Sequence, residues 1–221
     1  MCGGKVILVG TNSQKLDSIT FKLGPKAKSV VINLSNISSI KEGINKAIKL
    51  FPEQRIDILV NSAGVHGDWK FDNMDEDEYD KVIDVNIKGT YFITNLIAHH
   101  MIDRGIRGHI LNVSSSSAMR PAWTPYQISK WAIDGMTKGF ADLLLNHGII
   151  VNGIAPGPTA TEMVKDVSDK NLYYEHQPSK RYATPEEIAN LAIYLISPLA
   201  DFIVGDTIYI TGGSGTISYH K

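Results

Sequence analysis

Short apolar runs of four to six residues alternate along the chain with longer stretches in which apolar positions recur every three or four residues. The runs Val6–Val9, Ser29–Asn33, Ile56–Val60, His109–Val113, Ile149–Ile154 and Thr207–Ile210 predict strands buried on both faces. The stretches between them predict helices over Ser13–Leu23, Ser39–Phe51, Asp75–Arg104, Pro125–His147 and Pro185–Ile196. Two helix starts carry a capping-box pattern, Ser39-Ile-Lys-Glu42 and Thr184-Pro-Glu-Glu187, and Pro185 falls where a missing N–H costs nothing. Regular strand–helix alternation predicts an α/β fold, a doubly wound parallel sheet between two helical layers. No internal repeat, low-complexity tract or linker interrupts the pattern, so one domain is expected over residues 1–221.

Composition narrows the function more than the fold. The 221 residues are 43% hydrophobic and 20% charged, enough to bury a substantial core. A net charge of -1 and a pI near 6.6 give no electrostatic reason to expect nucleic acid or an anionic membrane as partner. No apolar stretch is long enough to span a bilayer, and no basic region precedes an apolar core at the start. The single cysteine, Cys2, has no internal partner for a disulfide. A cytoplasmic protein acting on a small molecule is the expectation. The acidic run Asp72–Glu78 reads as the solvated first turn of a long helix, where carboxylates suit the helix dipole. None of the seven histidines has zinc-ligand spacing, and no metal is expected.

Candidate chemistry is concentrated in "HILNVSSSSAMRPAWTPYQISKWAIDGM". Tyr126 and Lys130 lie four apart at the start of a helix and so share a face. Of nine tyrosines only Tyr126 has a lysine four residues later. An ammonium beside a phenol favours the phenolate, which is expected to bring the Tyr126 pKa down toward the working pH. Spacing alone is equally that of a surface pair. Position adds to it: Ser114–Ser117 follow a strand end, where open α/β sheets bind ligands. Upstream, "DILVNSAGV" runs a strand into small residues, and downstream "VNGIAPGPTATEM" does the same with Pro156-Gly157. Such strand ends allow a flat ligand to approach the backbone.

These pieces, taken in order, resemble the short-chain dehydrogenase/reductase family. They are "NSAG" at 61–64, "VNIKG" around Asn86, "NVSSSS", "YQISK" at 126–130, "APGPTAT" at 155–161, "TPEEIA" at 184–189 and "GDTIYITGG" at 205–213. Among family members the compact length is similar to the 3-oxoacyl-carrier-protein reductases. The resemblance implies a Rossmann-type fold and NAD- or NADP-dependent interconversion of carbonyls and alcohols. It makes Tyr126 the proton donor and acceptor, and Lys130 the residue that binds the nicotinamide ribose and depresses the phenol pKa. It gives Ser115 the substrate oxygen, with Ser114 and Ser116 as alternatives because the serine-to-tyrosine interval is short. Asn86 would hold a water in a proton relay. Asn33, Leu34, Asn61, Ala63, Gly64, Pro156 and Gly157 would line the cofactor, with Thr159 and Thr161 at its carboxamide and pyrophosphate. A homo-oligomer, dimer or tetramer, is implied as well. The substrate pocket would be shaped by Ser116–Trp123 and Glu162–Tyr182.

One signature is not found, the T-G-x-x-x-G-x-G turn that presents backbone N–H groups and a helix N-terminus to pyrophosphate. "VGTNSQKL" matches instead the family's second strand and its turn. A missing first strand–helix unit is therefore expected, with the chain beginning after it. A non-catalytic relative serving as a subunit or scaffold is the alternative that this omission leaves open. The turn Gly10-Thr11-Asn12 carries no carboxylate before Asp17. With Thr11 and Ser13 as hydroxyl donors and Lys15 nearby, it leans toward NADP over NAD.

Overall fold

The computed structural model describes residues 3–68, 71–72, 74–161 and 172–217. Cys2 and the stretch Glu162–Asn171 of the expected substrate segment lie outside them. Six parallel strands alternate with helices: β1 (Val6–Gly10), β2 (Ala27–Val31), β3 (Ile58–Asn61), β4 (His109–Val113), β5 (Ile150–Pro156) and β6 (Thr207–Ile210). They fall into two hydrogen-bonded sheets, β1 with β2 and the ordered set β3-β4-β5-β6. In register, Val6 lies opposite Ala27, and Asn61 opposite Asn112.

Alternation along the strands builds the layers. On β4, Ile110 joins a core cluster with Ile93, Ile97 and Met101, while Leu111 joins a second cluster with Leu195. On β5, Val151 belongs to the first cluster and Ile154 to the second. Period-2 alternation sends these neighbours to opposite faces, so the four-stranded sheet has apolar cores on both sides. The first core also takes in Val30 and Ile32 at β2 and Ile40 and Ile44 of α2 (Ile37–Ile48). Side-chain packing thus joins the small sheet to the rest.

Helices begin where local chemistry supplies a cap. Asn12 Oδ1 accepts from Lys15 N–H at the start of α1 (Ser13–Leu23). Thr184 and Glu187 form the expected capping box at α6 (Pro185–Leu195). The other expected box is displaced: α2 starts at Ile37, capped by Asn36, whose Oδ1 accepts from Ser39 N–H. Ser39 Oγ instead accepts from Asn33 N–H. A box that sequence reading passed over, Thr124 with Gln127, opens α5 (Pro125–Leu144).

The helix expected over Asp75–Arg104 is broken into α3 (Glu76–Ile83), a π-helical turn (Asp84–Gly89) and α4 (Thr90–Asp103). Asp75 caps α3, and Glu76, Asp77 and Glu78 fill its first turn. The π turn ends at Gly89, which touches the backbone of Leu34 beyond β2. A Cβ there would lie 2.6 Å from the Leu34 carbonyl oxygen and 2.8 Å from its Cβ. Gly89→Ala should therefore destabilise the fold by about 1–3 kcal/mol through overpacking, outweighing the ~1 kcal/mol of helix propensity gained. A lower melting temperature in calorimetry is the expected result, and an unchanged or higher one would show that this contact yields freely.

Candidate active site

The site is assembled at the carboxyl ends of β3, β4 and β5 and the first turn of α5. The box at Thr124 fixes that turn, since Thr124 Oγ1 accepts from Gln127 N–H at 3.1 Å and Gln127 Oε1 accepts from Thr124 N–H at 3.2 Å. Tyr126 and Lys130 follow on one helical face, and the Lys130 ammonium stands 5.4 Å from the centre of the Tyr126 ring. Ser115, just past β4, hydrogen-bonds the Tyr126 side chain. Its neighbours point elsewhere: Ser114 Oγ donates to the Lys130 carbonyl at 3.1 Å, and Ser116 is buried. Among the serines weighed from sequence, geometry brings Ser115 to the phenol.

Asn86 lies in the π turn and is fully buried. Its Oδ1 accepts from Val65 N–H at 2.8 Å, and its Nδ2 donates to the Val65 carbonyl at 2.9 Å and to Ser129 Oγ at 3.0 Å. Ser129 Oγ in turn donates to the Tyr126 carbonyl at 2.7 Å. The carboxamide is thus engaged by three hydrogen bonds to protein partners. π turns recur at functional sites because they re-aim the helical ladder.

Burial sets the charges. Lys130 is buried, and desolvation pushes its ammonium down to about 8, with Asp134 pulling the other way. Burial likewise raises the Tyr126 phenol, while the Ser115 hydrogen bond lowers it. The expected depression of the phenol is therefore corrected: the low-dielectric surroundings penalise the phenolate more than its neighbours favour it. A phenol held neutral at pH 7 is suited to giving a proton rather than taking one.

The remaining candidates divide between the crevice and the framework. Gly64 sits beside Asn86 and Lys130, since a Cβ there would meet Asn86 Oδ1 at 3.4 Å and Lys130 Nζ at 3.7 Å. Gly157, after β5, has no room for a side chain against the Thr211 carbonyl at 2.7 Å. Pro156 ends β5, and Ala63 is exposed between Asn61 and Gly64. Asn61 turns inward: its Nδ2 donates to Thr94 Oγ1 and Asn112 Oδ1, both at 2.8 Å. Thr159 Oγ1 donates to the Gly157 carbonyl at 2.9 Å, and Thr161 and Thr11 are exposed. Asn33 Oδ1 accepts from Ser35 N–H and Oγ, so its acceptor is used locally, while Leu34 packs on the core. Sequence reading missed His66, whose ring lies 4.6 Å from that of Tyr126. It also missed the linking role of Ser129, which no spacing rule signals.

These residues fit the nicotinamide-riboside half of a dinucleotide. Among the described residues the buried Lys130 ammonium has one hydrogen-bond acceptor, the Val113 carbonyl at 2.9 Å, which leaves N–H donors for ribose hydroxyls. The glycines at 64 and 157 leave the strand ends flat. At α1, by contrast, the N-terminus is capped by Asn12 and no glycine-rich turn precedes it.

The sequence matches the family model described as enoyl-(acyl carrier protein) reductase over residues 1–215. It is 34% identical over 218 residues to the 3-oxoacyl-[acyl-carrier-protein] reductase of Thermotoga maritima, covering 96% of this chain and 87% of that protein. The fold is similar to the 3-ketoacyl-(acyl-carrier-protein) reductase from Brucella melitensis complexed with NADH (TM-score 0.86, 26% identity, 97% of this chain and 88% of that one). It is equally similar to a gluconate 5-dehydrogenase from Burkholderia cenocepacia in complex with NADP and tartrate (TM-score 0.86, 27% identity, 98% and 87%). The alignments take in nearly the whole chain and give no support to the expectation of a missing first strand–helix unit. With strand-end glycines, a Ser115–Tyr126–Lys130 cluster and a matching family model over most of its length, the chain belongs to the short-chain dehydrogenase/reductase family of oxidoreductases.

Proposed function

We propose that this protein reduces a small-molecule carbonyl to a secondary alcohol, and runs the reverse oxidation, with a nicotinamide dinucleotide as partner. The observation that carries the proposal is the Ser115–Tyr126 hydrogen bond with the Lys130 ammonium on the phenol's ring face. Ser115 Oγ and Tyr126 Oη would hold the carbonyl oxygen between them, and Tyr126 would give that oxygen its proton. Bound dinucleotide supplies the hydride. Lys130 would bind the ribose hydroxyls and stabilise the phenolate that the proton leaves behind. Asn86 holds the Val65 backbone and Ser129 in place around that proton path. The turn after β1 offers no carboxylate against a 2′-phosphate, which favours NADPH over NADH. A scaffold role finds no particular support, because the acid, its hydrogen-bond partner and its ammonium meet in one place.

Tyr126→Phe removes only the hydroxyl and should lower carbonyl reduction by about 10²–10⁴-fold at an unchanged melting temperature. Steady-state rates with NADPH and NADH test both parts. Wild-type turnover in the variant would remove Tyr126 from the chemistry, and turnover with NADH alone would reverse the cofactor assignment.

Lys130 gives a prediction about stability. Its folded pKa, about 8, lies below the ordinary lysine value of 10.5, so between these values the unfolded chain binds more protons. Wild-type stability should rise with pH across that window. Below it the buried charge costs on the order of 3 kcal/mol. Lys130→Met should then melt higher than wild type at pH 7, with the gain shrinking from pH 8 to 10.5 in a thermal-shift series. A variant less stable than wild type at pH 7 would show that the ammonium's contacts outweigh its desolvation.

Assembly follows from α5. It buries Ile133, Phe140 and Leu144 in the core while exposing Ile128, Trp131 and Leu143, and Tyr91 of α4 is exposed beside Phe140. A helix apolar on more than one side needs a second covering surface. We assign that role to another copy of the chain, as a dimer or tetramer. Light scattering at micromolar concentration should give at least twice the monomer mass, and a monomer would leave this face unexplained.

A further inference from the structure

Lys130 carries a buried charge among neutral neighbours. Its ammonium donates to the Val113 carbonyl at 2.9 Å and stands over the Tyr126 ring, with Gly64 and the Asn86 carboxamide beside it. None of these groups is an anion, so an ammonium in this place needs a compensating field from elsewhere.

That field comes from one helical turn away. Asp134 follows Lys130 by four residues on α5 and shares its face. Among the described residues it is the anion whose charge favours the Lys130 ammonium. The carboxylate is half-buried and is held from the sheet: Tyr209 Oη donates to Asp134 Oδ2 at 2.6 Å, and Thr207 Oγ1 donates to Oδ1 at 3.4 Å. Thr207 and Tyr209 lie two apart on β6 and so present both hydroxyls to one face of the strand. Hydrogen bonds accepted from neutral donors favour the ionised carboxylate. Burial and the same carboxylate push the Tyr209 phenol well above its ordinary range, so it stays a neutral donor while Lys130 titrates.

The other ionisable groups around the ammonium do not take this part. Tyr126 on α5 is an acid kept neutral, and His66, from the loop leaving β3, is stacked on its ring and is no anion. The π turn brings Asp84, whose carboxylate accepts from Lys88 at 2.9 Å. From α3 come Asp80 and Glu78, the latter accepting from Lys81 at 2.9 Å. Arg120, past the serine segment, donates to Ser214 Oγ at 2.9 Å. Near Asp134 itself, Lys138 lies one turn farther along α5 and Asp206 just ahead of β6. The field at Lys130 is set by Asp134 and not by the carboxylates of α3 or the π turn.

We propose that Asp134 keeps Lys130 charged at neutral pH, as a positioning residue that acts on the reaction through the ammonium. Its consequence for turnover rests on the carbonyl reduction proposed above. The charge itself rests on the placement of α5 against β6. With a folded value of about 8, Lys130 has little margin at neutral pH. Removing the anion lets desolvation carry the ammonium lower. A neutral amine would offer the ribose hydroxyls a weaker donor and leave the phenolate without its counter-charge.

Lysine titration in the full-length protein, followed by carbon-13 NMR at Cε with Lys130→Met identifying the signal, tests this without substrate or dinucleotide. Wild-type Lys130 should titrate at about 8, and Asp134→Asn should lower that midpoint by about one pH unit. Asp134→Glu, which restores the charge, should bring it back most of the way. Tyr209→Phe removes a hydrogen bond between α5 and β6 but keeps the anion, so its midpoint should stay near that of the wild type. Should Asp134→Asn fail to fold, Asp134→Ser repeats the test. A wild-type midpoint in the neutral variant overturns the proposal. An equal drop in Tyr209→Phe also overturns it, since Asp134 would then be only a latch between helix and strand. In turnover, Asp134→Asn should trail the wild type about fivefold in kcat/KM at pH 8 and much less at pH 6, as the charged fractions differ. A constant deficit across that range counts as structural damage and overturns the assignment. If no carbonyl is turned over, the reductase reading fails, and the NMR titration alone decides the role of Asp134.

Discussion

The buried Asn86 carboxamide accepts one hydrogen bond from Val65 and gives one each to Val65 and Ser129. With these it binds the loop leaving β3, the π turn and the first turn of α5 to a common point. Because Ser129 also reaches the Tyr126 carbonyl, displacement of the loop would be felt at the reacting phenol. A buried amide of this kind leaves no easy alternative, since each unmade bond would leave a desolvated polar group. The position of Gly64 follows from the same arrangement: a side chain there would crowd the carboxamide and the Lys130 ammonium together.

The site works by setting two ionisable groups in surroundings that favour neither charge. Burial raises the phenol and lowers the ammonium, so two groups with nearly equal proton affinities in water are driven apart on the pH scale. The phenol is left the firmer holder of its proton, and the Ser115 hydrogen bond trims that difference from the phenol's side. The expense is borne by the fold, because a buried lysine weakens the structure that places it.

Strand positions were legible because β-branched runs and helical spacing repeat in strict alternation, and β4 and β6 fall where the pattern puts them. Tyr126 and Lys130 were legible because one helical turn links them. Asn61 was not: its inward turn depends on lying opposite Asn112 in the neighbouring strand, a lateral register that a single chain does not display. The start of α2 was misread because two caps compete three residues apart, and Asn36 takes the helix while Ser39 serves Asn33. The π turn and the direction of the phenol shift are both products of packing, which local spacing does not encode. His66 escaped notice for the same reason, since its stacking partner is sixty residues away along the chain.

The division of the strands into two sheets has a consequence for how the molecule breathes. No hydrogen-bond ladder between described strands crosses from the pair β1-β2 to the set β3-β4-β5-β6. The link is apolar, chiefly Ile40 and Ile44 of α2 with Val30 and Ile32, packed in one cluster with Ile93, Ile97 and Met101. Packing without a ladder can part in a single step, exposing a hydrophobic seam while each sheet keeps its internal bonds. Residues 6–48 thus form a unit that can open below the energy of global unfolding, with amide exchange faster there than in β4 and β5.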